Sequence, residues 1–206
     1  MSAIMEDKQH IFVFTSSHGR KKRGFPKTLC NLLDGSKRYY IEEEDIYAVP
    51  GQEINDNVVQ QIKEKVTQMQ PQKTVIVINL ADNNLRPSRQ GKETPEDLIP
   101  YFRAVMEHCK TVPSCQVVLS SLIPGIGHDE ATKSTFKTMN SLLKNLCHEY
   151  RDFSSFCPFN NQLIANGTLN AELYRDDVHL NRQGYALFAN AIYLNLIKLP
   201  KLKSKQ

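Results

Sequence analysis

The chain has 206 residues, a formal net charge of +4, and 40% apolar and 23% charged residues. This length suits one domain, and this balance of apolar and charged residues is typical of an ordinary soluble globular protein. No apolar run approaches the roughly 18 to 20 residues of a membrane span, and the polar first residues do not resemble a signal peptide. We therefore expect an intracellular protein of the cytoplasm or the nucleus.

Domain boundaries and redox state follow from composition. We expect a flexible N-terminus over residues 1–9, a single domain over 10–198 and a basic tail over 199–206. The five cysteines are scattered and include no Cys-x-x-Cys pair. This pattern predicts reduced, mostly buried thiols rather than a disulfide framework or a zinc site. We expect no metal and no cofactor.

Five short β-branched or aromatic runs alternate with longer amphipathic stretches. The runs cover residues 11–15, 45–49, 74–80, 116–121 and, as the weakest, 153–159. Such alternation is typical of βαβ units and a parallel sheet. The third and fourth runs are almost continuously apolar, which predicts central strands that are buried on both faces.

Apolar residues at helical spacing predict two amphipathic helices that pack on this sheet. One set is Ile54, Val58, Ile62 and Val66, and the other is Phe136, Met139, Leu143 and Leu146. Thr94 followed by Pro95 predicts a helix start, because threonine is a good N-cap and proline suits the first helical position. A last helix is predicted from about residue 182 to 197, before Pro200.

Polar segments follow the predicted strands where a ligand site is expected. In open parallel sheets, ligands bind beyond the carboxyl ends of the strands. The segments are residues 16–20, 50–52, 81–84 and, late in the chain, 176–180. They supply serine, histidine, aspartate and amide donors, which are the groups that an activated serine nucleophile and its oxyanion require.

The order of these groups resembles the blocks of the SGNH (GDSL) hydrolase family, from residue 12 to about 196. A serine follows the first strand, a glycine the second and an asparagine the third, and Asp-x-x-His-Leu, then glycine and an aromatic residue, lies within 176–185. The last block is the closest match. The family's Gly-Asp-Ser is Thr-Ser-Ser at 15–17, Ala81 replaces the usual glycine, and Asn84 stands where aspartate is common.

This resemblance implies a fold and a chemistry. The fold is a three-layer α/β/α sandwich of the flavodoxin-like kind, with a parallel sheet of about five strands. Ser17 would be the nucleophile, His179 the general base and Asp176 the residue that orients His179. The backbone N–H groups of Ser17 and Gly51 and the amide of Asn83 would form the oxyanion hole. The implied activity is a serine esterase or acyl hydrolase that acts on a small ester without a cofactor.

Each of these residues also has a structural interpretation. Ser17 is a suitable cap for a following helix, and Asp176 or Asp177 is a suitable cap for the last one. His179 fits a partly buried histidine paired with a carboxylate. Gly51 and Asn83 are ordinary turn residues.

A basic run suggests a second function. Arg20, Lys21, Lys22 and Arg23 follow Ser17 directly, and Lys27 comes soon after. Such a cluster is typical either of solvated surface, which is the more frequent case, or of a site that binds anions, RNA or a protein partner in a catalytically weak or inactive SGNH-like module. His18, His108, His128 and His148 lack metal-ligand spacing and are interpreted as surface or loop residues. Asn140 is expected to pair with a nearby loop.

Overall fold

The protein is described by a computed structural model over residues 8–16, 18, 24–70, 72–86 and 93–200. Its main sheet contains β1 (Gln9–Thr15), β2 (Tyr39–Tyr40), β3 (Ile46–Ala48), β4 (Thr74–Asn79), β5 (Cys115–Ser120) and β6 (Ser154–Cys157). The helices are α1 (Phe25–Leu33), α2 (Asp56–Gln68), α3 (Pro95–Lys110), α4 (Glu130–Glu149) and α5 (Arg182–Leu196). A small hairpin pairs β7 (Ile164–Ala165) with β8 (Thr168–Leu169) in antiparallel orientation.

The main sheet has the strand order β2-β1-β4-β5-β6, and β3 pairs with the same edge of β1 as β2 does. All of these pairs are parallel. Strands β4 and β5 each lie between two neighbours, which confirms the prediction from their continuous apolar runs. The five predicted strands are present, and the sixth, β2, is only two residues long.

Two apolar cores lie on opposite faces of the sheet. Because successive side chains of a strand point to opposite faces, Phe12 and Phe14 pack with α2, α3 and α4, whereas Ile11 and Val13 pack with α1 and α5. The result is the expected three-layer α/β/α arrangement.

Side-chain caps fix the helix starts. Thr94 accepts a hydrogen bond from the N–H of Asp97 at 3.3 Å, so the predicted start of α3 is confirmed. Asn55 caps α2, which leaves Ile54 buried just outside the helix rather than within it. Asn181 caps α5 by accepting from two backbone N–H groups. The interpretation of Asp176 or Asp177 as the cap of this last helix is therefore wrong.

Other predictions concern single side chains. Asn140 pairs with the loop after β5, since its Oδ1 accepts from the N–H of Leu122 at 2.7 Å. All cysteines are free thiols, and only Cys30 is not fully buried. Leu199, which the sequence placed in the tail, is buried, and the carbonyl of Pro200 accepts from Arg38 at 3.1 Å. Within the described residues, no helix has the length and apolar character to cross a bilayer.

Candidate active site

The carboxyl ends of three neighbouring strands are joined by a row of buried polar side chains. Thr15 and Asn79 are paired in register on β1 and β4. The Thr15 hydroxyl donates to Asn79 Oδ1 at 3.3 Å, and Asn79 Nδ2 donates to Ser120 Oγ of β5 at 2.8 Å. This row fixes the points at which the loops of the site leave the sheet.

Asp176 and His179 form a hydrogen-bonded pair in a tight loop before α5. One carboxylate oxygen, Oδ1, lies 2.9 Å from His179 Nδ1 and also accepts the backbone N–H of His179 at 2.7 Å. An ionised carboxylate can only accept a hydrogen bond, so in the neutral imidazole Nδ1 carries the proton that is shared with Asp176. Nε2 is then the nitrogen that can accept a hydrogen bond. The pair therefore has the arrangement of a general base held by a carboxylate.

Arg175 binds the other oxygen of the same carboxylate. Its Nη2 and Nε donate to Asp176 Oδ2 at 2.8 and 3.2 Å. Partial burial opposes ionisation, but the Arg175 guanidinium and the N–H groups of His179 and Val178 outweigh it and hold the pKa of Asp176 well below its usual range. Asp176 is thus a carboxylate throughout the neutral range.

The segment of the predicted nucleophile is described only in part. Ser17 and residues 19–23 lie outside the described residues, whereas Ser16 and His18 lie within them. The ring of His18 is 5.6 Å, centroid to centroid, from the ring of His179. Both flanking residues are buried. The residue that follows Ser17 thus lies beside the ring of His179.

The two loops predicted to supply the oxyanion hole lie against each other. Asn83 Nδ2 donates to the carbonyl of Gln52 at 3.0 Å, next to Gly51. Gly51 has a φ of +75°, a left-handed conformation that favours glycine. The contact with Gln52 uses one hydrogen of the Asn83 amide. The second hydrogen has no hydrogen-bond acceptor among the described residues.

Asn84 joins the same two loops by hydrogen bonds, and we call it a clamp for that reason. Its Oδ1 accepts from the N–H of Ile54 at 2.9 Å, and its Nδ2 donates to the Ile54 carbonyl at 3.1 Å and to Glu93 Oε2 at 2.7 Å. An aspartate could make only the first of these contacts, which explains why an amide fits here.

Burial of His18 was not foreseen from the sequence, which assigned it only a surface or loop position. Its side chain is 1% exposed, and its Nε2 lies 4.0 Å from Oδ2 of the buried Asp82. Burial, followed by the charges of His179 and Arg86, lowers the pKa of His18 to about 3. The ring is therefore neutral near pH 7, and this approach is not an ion pair.

Asp82 and Arg86 form an ion pair that sequence reasoning also missed. Arg86 Nη2 donates to Asp82 Oδ2 at 3.1 Å, and the Asp82 side chain is 4% exposed. Burial raises the pKa of Asp82, and the Arg86 guanidinium opposes the rise. The spacing of four residues was the only sequence signal of this pair.

The loop after β5 supports the histidine loop from beside it. The Gly127 N–H donates to the carbonyl of Asp177 at 2.9 Å, and the Tyr174 hydroxyl donates to the Pro124 carbonyl at 2.6 Å. A Cβ at Gly125 would lie 2.4 Å from the carbonyl oxygen of Asp177. The two loops are therefore packed backbone to backbone.

His128 is partly buried in this loop. Its Nδ1 accepts the N–H of Gly125 at 3.0 Å, so a neutral ring carries its proton on Nε2. Burial, then the charge of Arg86, lowers the pKa of His128.

Two other candidate binding features involve residues outside these loops. Among the described residues, His10, Glu42 and Asp45 could together hold a metal ion, but His10 begins the sheet at its opposite end and already bonds Asp45 directly. Lys27 is exposed in the first turn of α1. The remaining members of the predicted anion-binding cluster, at 20–23, lie outside the described residues.

Solved structures with the same fold include a lipolytic family protein, an acetylxylan esterase and a GDSL-like lipase. A lipolytic G-D-S-L family protein from Veillonella parvula is 15% identical, with a TM-score of 0.74 over 93% of this chain and 100% of that one. A catalytic mutant of an acetylxylan esterase from Geobacillus stearothermophilus is 13% identical (TM-score 0.73, 98% and 100%). A GDSL-like lipase from Bacteroides thetaiotaomicron is 16% identical (TM-score 0.68, 93% and 89%).

The fold defines the class of protein as a three-layer α/β/α sandwich built on a parallel sheet. The GDSL-like lipase/acylhydrolase family matches residues 14–187, which is most of the chain, and the protein belongs to that family. A search of curated proteins finds no match. The family assignment agrees with the resemblance seen in the ordered sequence blocks.

Proposed function

We propose that the protein is a serine-dependent ester hydrolase in which Ser17 is the nucleophile, His179 the general base and Asp176 the residue that orients it. The observation that carries this proposal is the Asp176–His179 pair, joined at 2.9 Å and packed beside His18, the sequence neighbour of Ser17. The family and its esterase neighbours support the same class of reaction.

The proposed reaction has two halves. Ser17 Oγ attacks the ester carbonyl while His179 Nε2 takes its proton, and the resulting imidazolium gives that proton to the departing alcohol. Water then enters, loses a proton to the same nitrogen and attacks the acyl carbon. The imidazolium returns this proton to Ser17 Oγ as the bond to the acyl group breaks and the acid leaves. Asp176 stays ionised and stabilises the imidazolium through Nδ1–H.

The oxyanion of each tetrahedral intermediate would be bound by the backbone N–H groups of Ser17 and Gly51 and by the amide of Asn83. The Gln52 carbonyl orients that amide by accepting one of its hydrogens at 3.0 Å, which leaves the other for the substrate oxygen. Donors fixed before the reaction contribute about 3 kcal/mol each to such intermediates.

Labelling with a fluorophosphonate, followed by peptide mapping, tests the proposal. We expect the label on Ser17 in the wild type and no label in Ser17→Ala, whose hydrolysis of p-nitrophenyl acetate should fall by about 10³-fold or more. Ser141→Ala, exposed on α4, is the matched control and should retain full activity. A folded wild type without label at Ser17 would overturn the proposal and favour a non-catalytic binding module.

A further inference from the structure

Asp82 is a buried carboxylate in the loop that follows β4. Asp82 is 3% exposed, and among the described residues the one cation that contacts it is Arg86, whose Nη2 lies at 3.1 Å. A buried ion pair of this kind is commonly no more stabilising than apolar side chains of equal size. Packing alone therefore gives little reason for a carboxylate at this position.

The carboxylate faces both residues that flank Ser17. The Ser16 hydroxyl is buried beside Asp82 and helps to hold the acid in its charged form, although the contact falls short of a regular hydrogen bond. His18 Nε2 lies 4.0 Å from Asp82 Oδ2, and that buried nitrogen has no hydrogen-bond partner among the described residues. A shift of about 1 Å would bring it within hydrogen-bond range of Asp82.

Asp82 lies close to the first sequence block, which lacks the family's carboxylate. The resemblance places an aspartate before the nucleophile, but this chain has Ser16 there. Strands β1 and β4 are adjacent and parallel, with Thr15 in register with Asn79. The segments that follow the two strands therefore run side by side, and a carboxylate in the second can reach the first.

We propose that Asp82 is a positioning residue that replaces the carboxylate missing at Ser16 and fixes the nucleophile segment through Ser16 and His18. This inference rests on the proposed function, because it assigns Asp82 a role in orienting Ser17. In this arrangement the carboxylate lies at the end of β4 rather than at the end of the neighbouring β1. Arg86 opposes the rise in the pKa of Asp82 that burial causes.

Two variants test this inference, one that removes the carboxylate of Asp82 and one that moves it to position 16. Asp82→Asn preserves size but removes the charge, and we expect the rate of fluorophosphonate labelling at Ser17 to fall by about 10-fold or more. For ester hydrolysis, kcat should fall while KM stays within about twofold, since Asp82 does not contact substrate. The double variant Ser16→Asp with Asp82→Ser should recover labelling to within about threefold of the wild type.

The outcomes separate this inference from the proposed function. If wild-type Ser17 does not label, the proposed function is wrong and the inference falls with it. If the wild type labels and Asp82→Asn labels equally fast, only the inference is wrong. Should Asp82→Asn not fold, a folded double variant that labels at less than a tenth of the wild-type rate would still refute it. Asp152→Asn, in the exposed turn before β6, is the control for loss of one acid.

Discussion

The carboxylate of Asp176 accepts hydrogen bonds from both the backbone N–H and the ring Nδ1 of His179, at 2.7 and 2.9 Å. The same side chain thus shapes the loop and selects the tautomer of the ring. A variant that preserves the loop but alters the tautomer would separate these two roles.

Asp176→Asn should fold normally and lose about 10²- to 10⁴-fold in kcat for p-nitrophenyl acetate, because an amide can present a donor to Nδ1 and favour the wrong tautomer. Steady-state kinetics and a thermal melt measure the two effects. Asp177→Asn changes the neighbouring exposed acid in the same way and should stay within twofold. A loss of activity that merely parallels a loss of folded protein would contradict the tautomer argument.

Ala81→Gly should stabilise the protein. Ala81 is buried with a φ of +91°, a left-handed conformation that costs a residue with a side chain about 1 to 3 kcal/mol. Glycine removes this strain and adds about 0.5–1 kcal/mol of chain entropy to the unfolded state, so we expect a net gain of about 1 kcal/mol in urea unfolding.

The matched control for this substitution is Ala186→Gly. Ala186 is exposed within α5, where glycine costs about 1 kcal/mol relative to alanine. The two substitutions should therefore shift stability in opposite directions. Equal destabilisation by both would show that the conformation of Ala81 carries no strain.

Elements with a local signal could be predicted from the sequence, and contacts across the sheet could not. The apolar runs of β4 and β5 and the cap at Thr94 are local patterns, so the sequence predicts the strands, the helices and their α/β arrangement. Asp176 and His179 are three residues apart and formed part of a block. His18 and Asp82, by contrast, meet only because β1 and β4 are adjacent, a pairing that no spacing along the chain reveals. The two-residue β2 is too short to show a period.

Asn84→Asp should destabilise the protein, although aspartate is common in the family at this place. The change removes the hydrogen-bond donors to the Ile54 carbonyl and to Glu93. It also places a second carboxylate beside Glu93, whose Oε2 now lies 2.7 Å from Asn84 Nδ2. We expect a loss of about 2 kcal/mol in urea unfolding. Adding Glu93→Gln should recover part of it by removing the repulsion. If Asn84→Asp alone is as stable as the wild type, the hydrogen bonds of Asn84 to Ile54 and Glu93 do not stabilise the protein.

His18 should make stability fall in acid. Burial lowers its pKa from 6.5 to about 3, so the unfolded chain takes up a proton at this residue as the pH falls through about 6.5, while the folded protein does not until about 3. Between these values the unfolded state gains about 1.4 kcal/mol per pH unit. The contribution of His18 is thus fully present above pH 6.5 and is lost progressively below it.

Comparison with His18→Gln isolates this effect. The difference in unfolding free energy between the wild type and the variant should shrink by about 2 to 3 kcal/mol from pH 7 to pH 4.5, as measured by urea titrations at each pH. Asp82, whose pKa burial raises, acts with the opposite sign, because the folded state then binds the extra proton. It is present in both proteins and largely cancels in the difference. A difference that stays constant with pH would mean that the His18 ring reaches water in the folded protein and takes up its proton there.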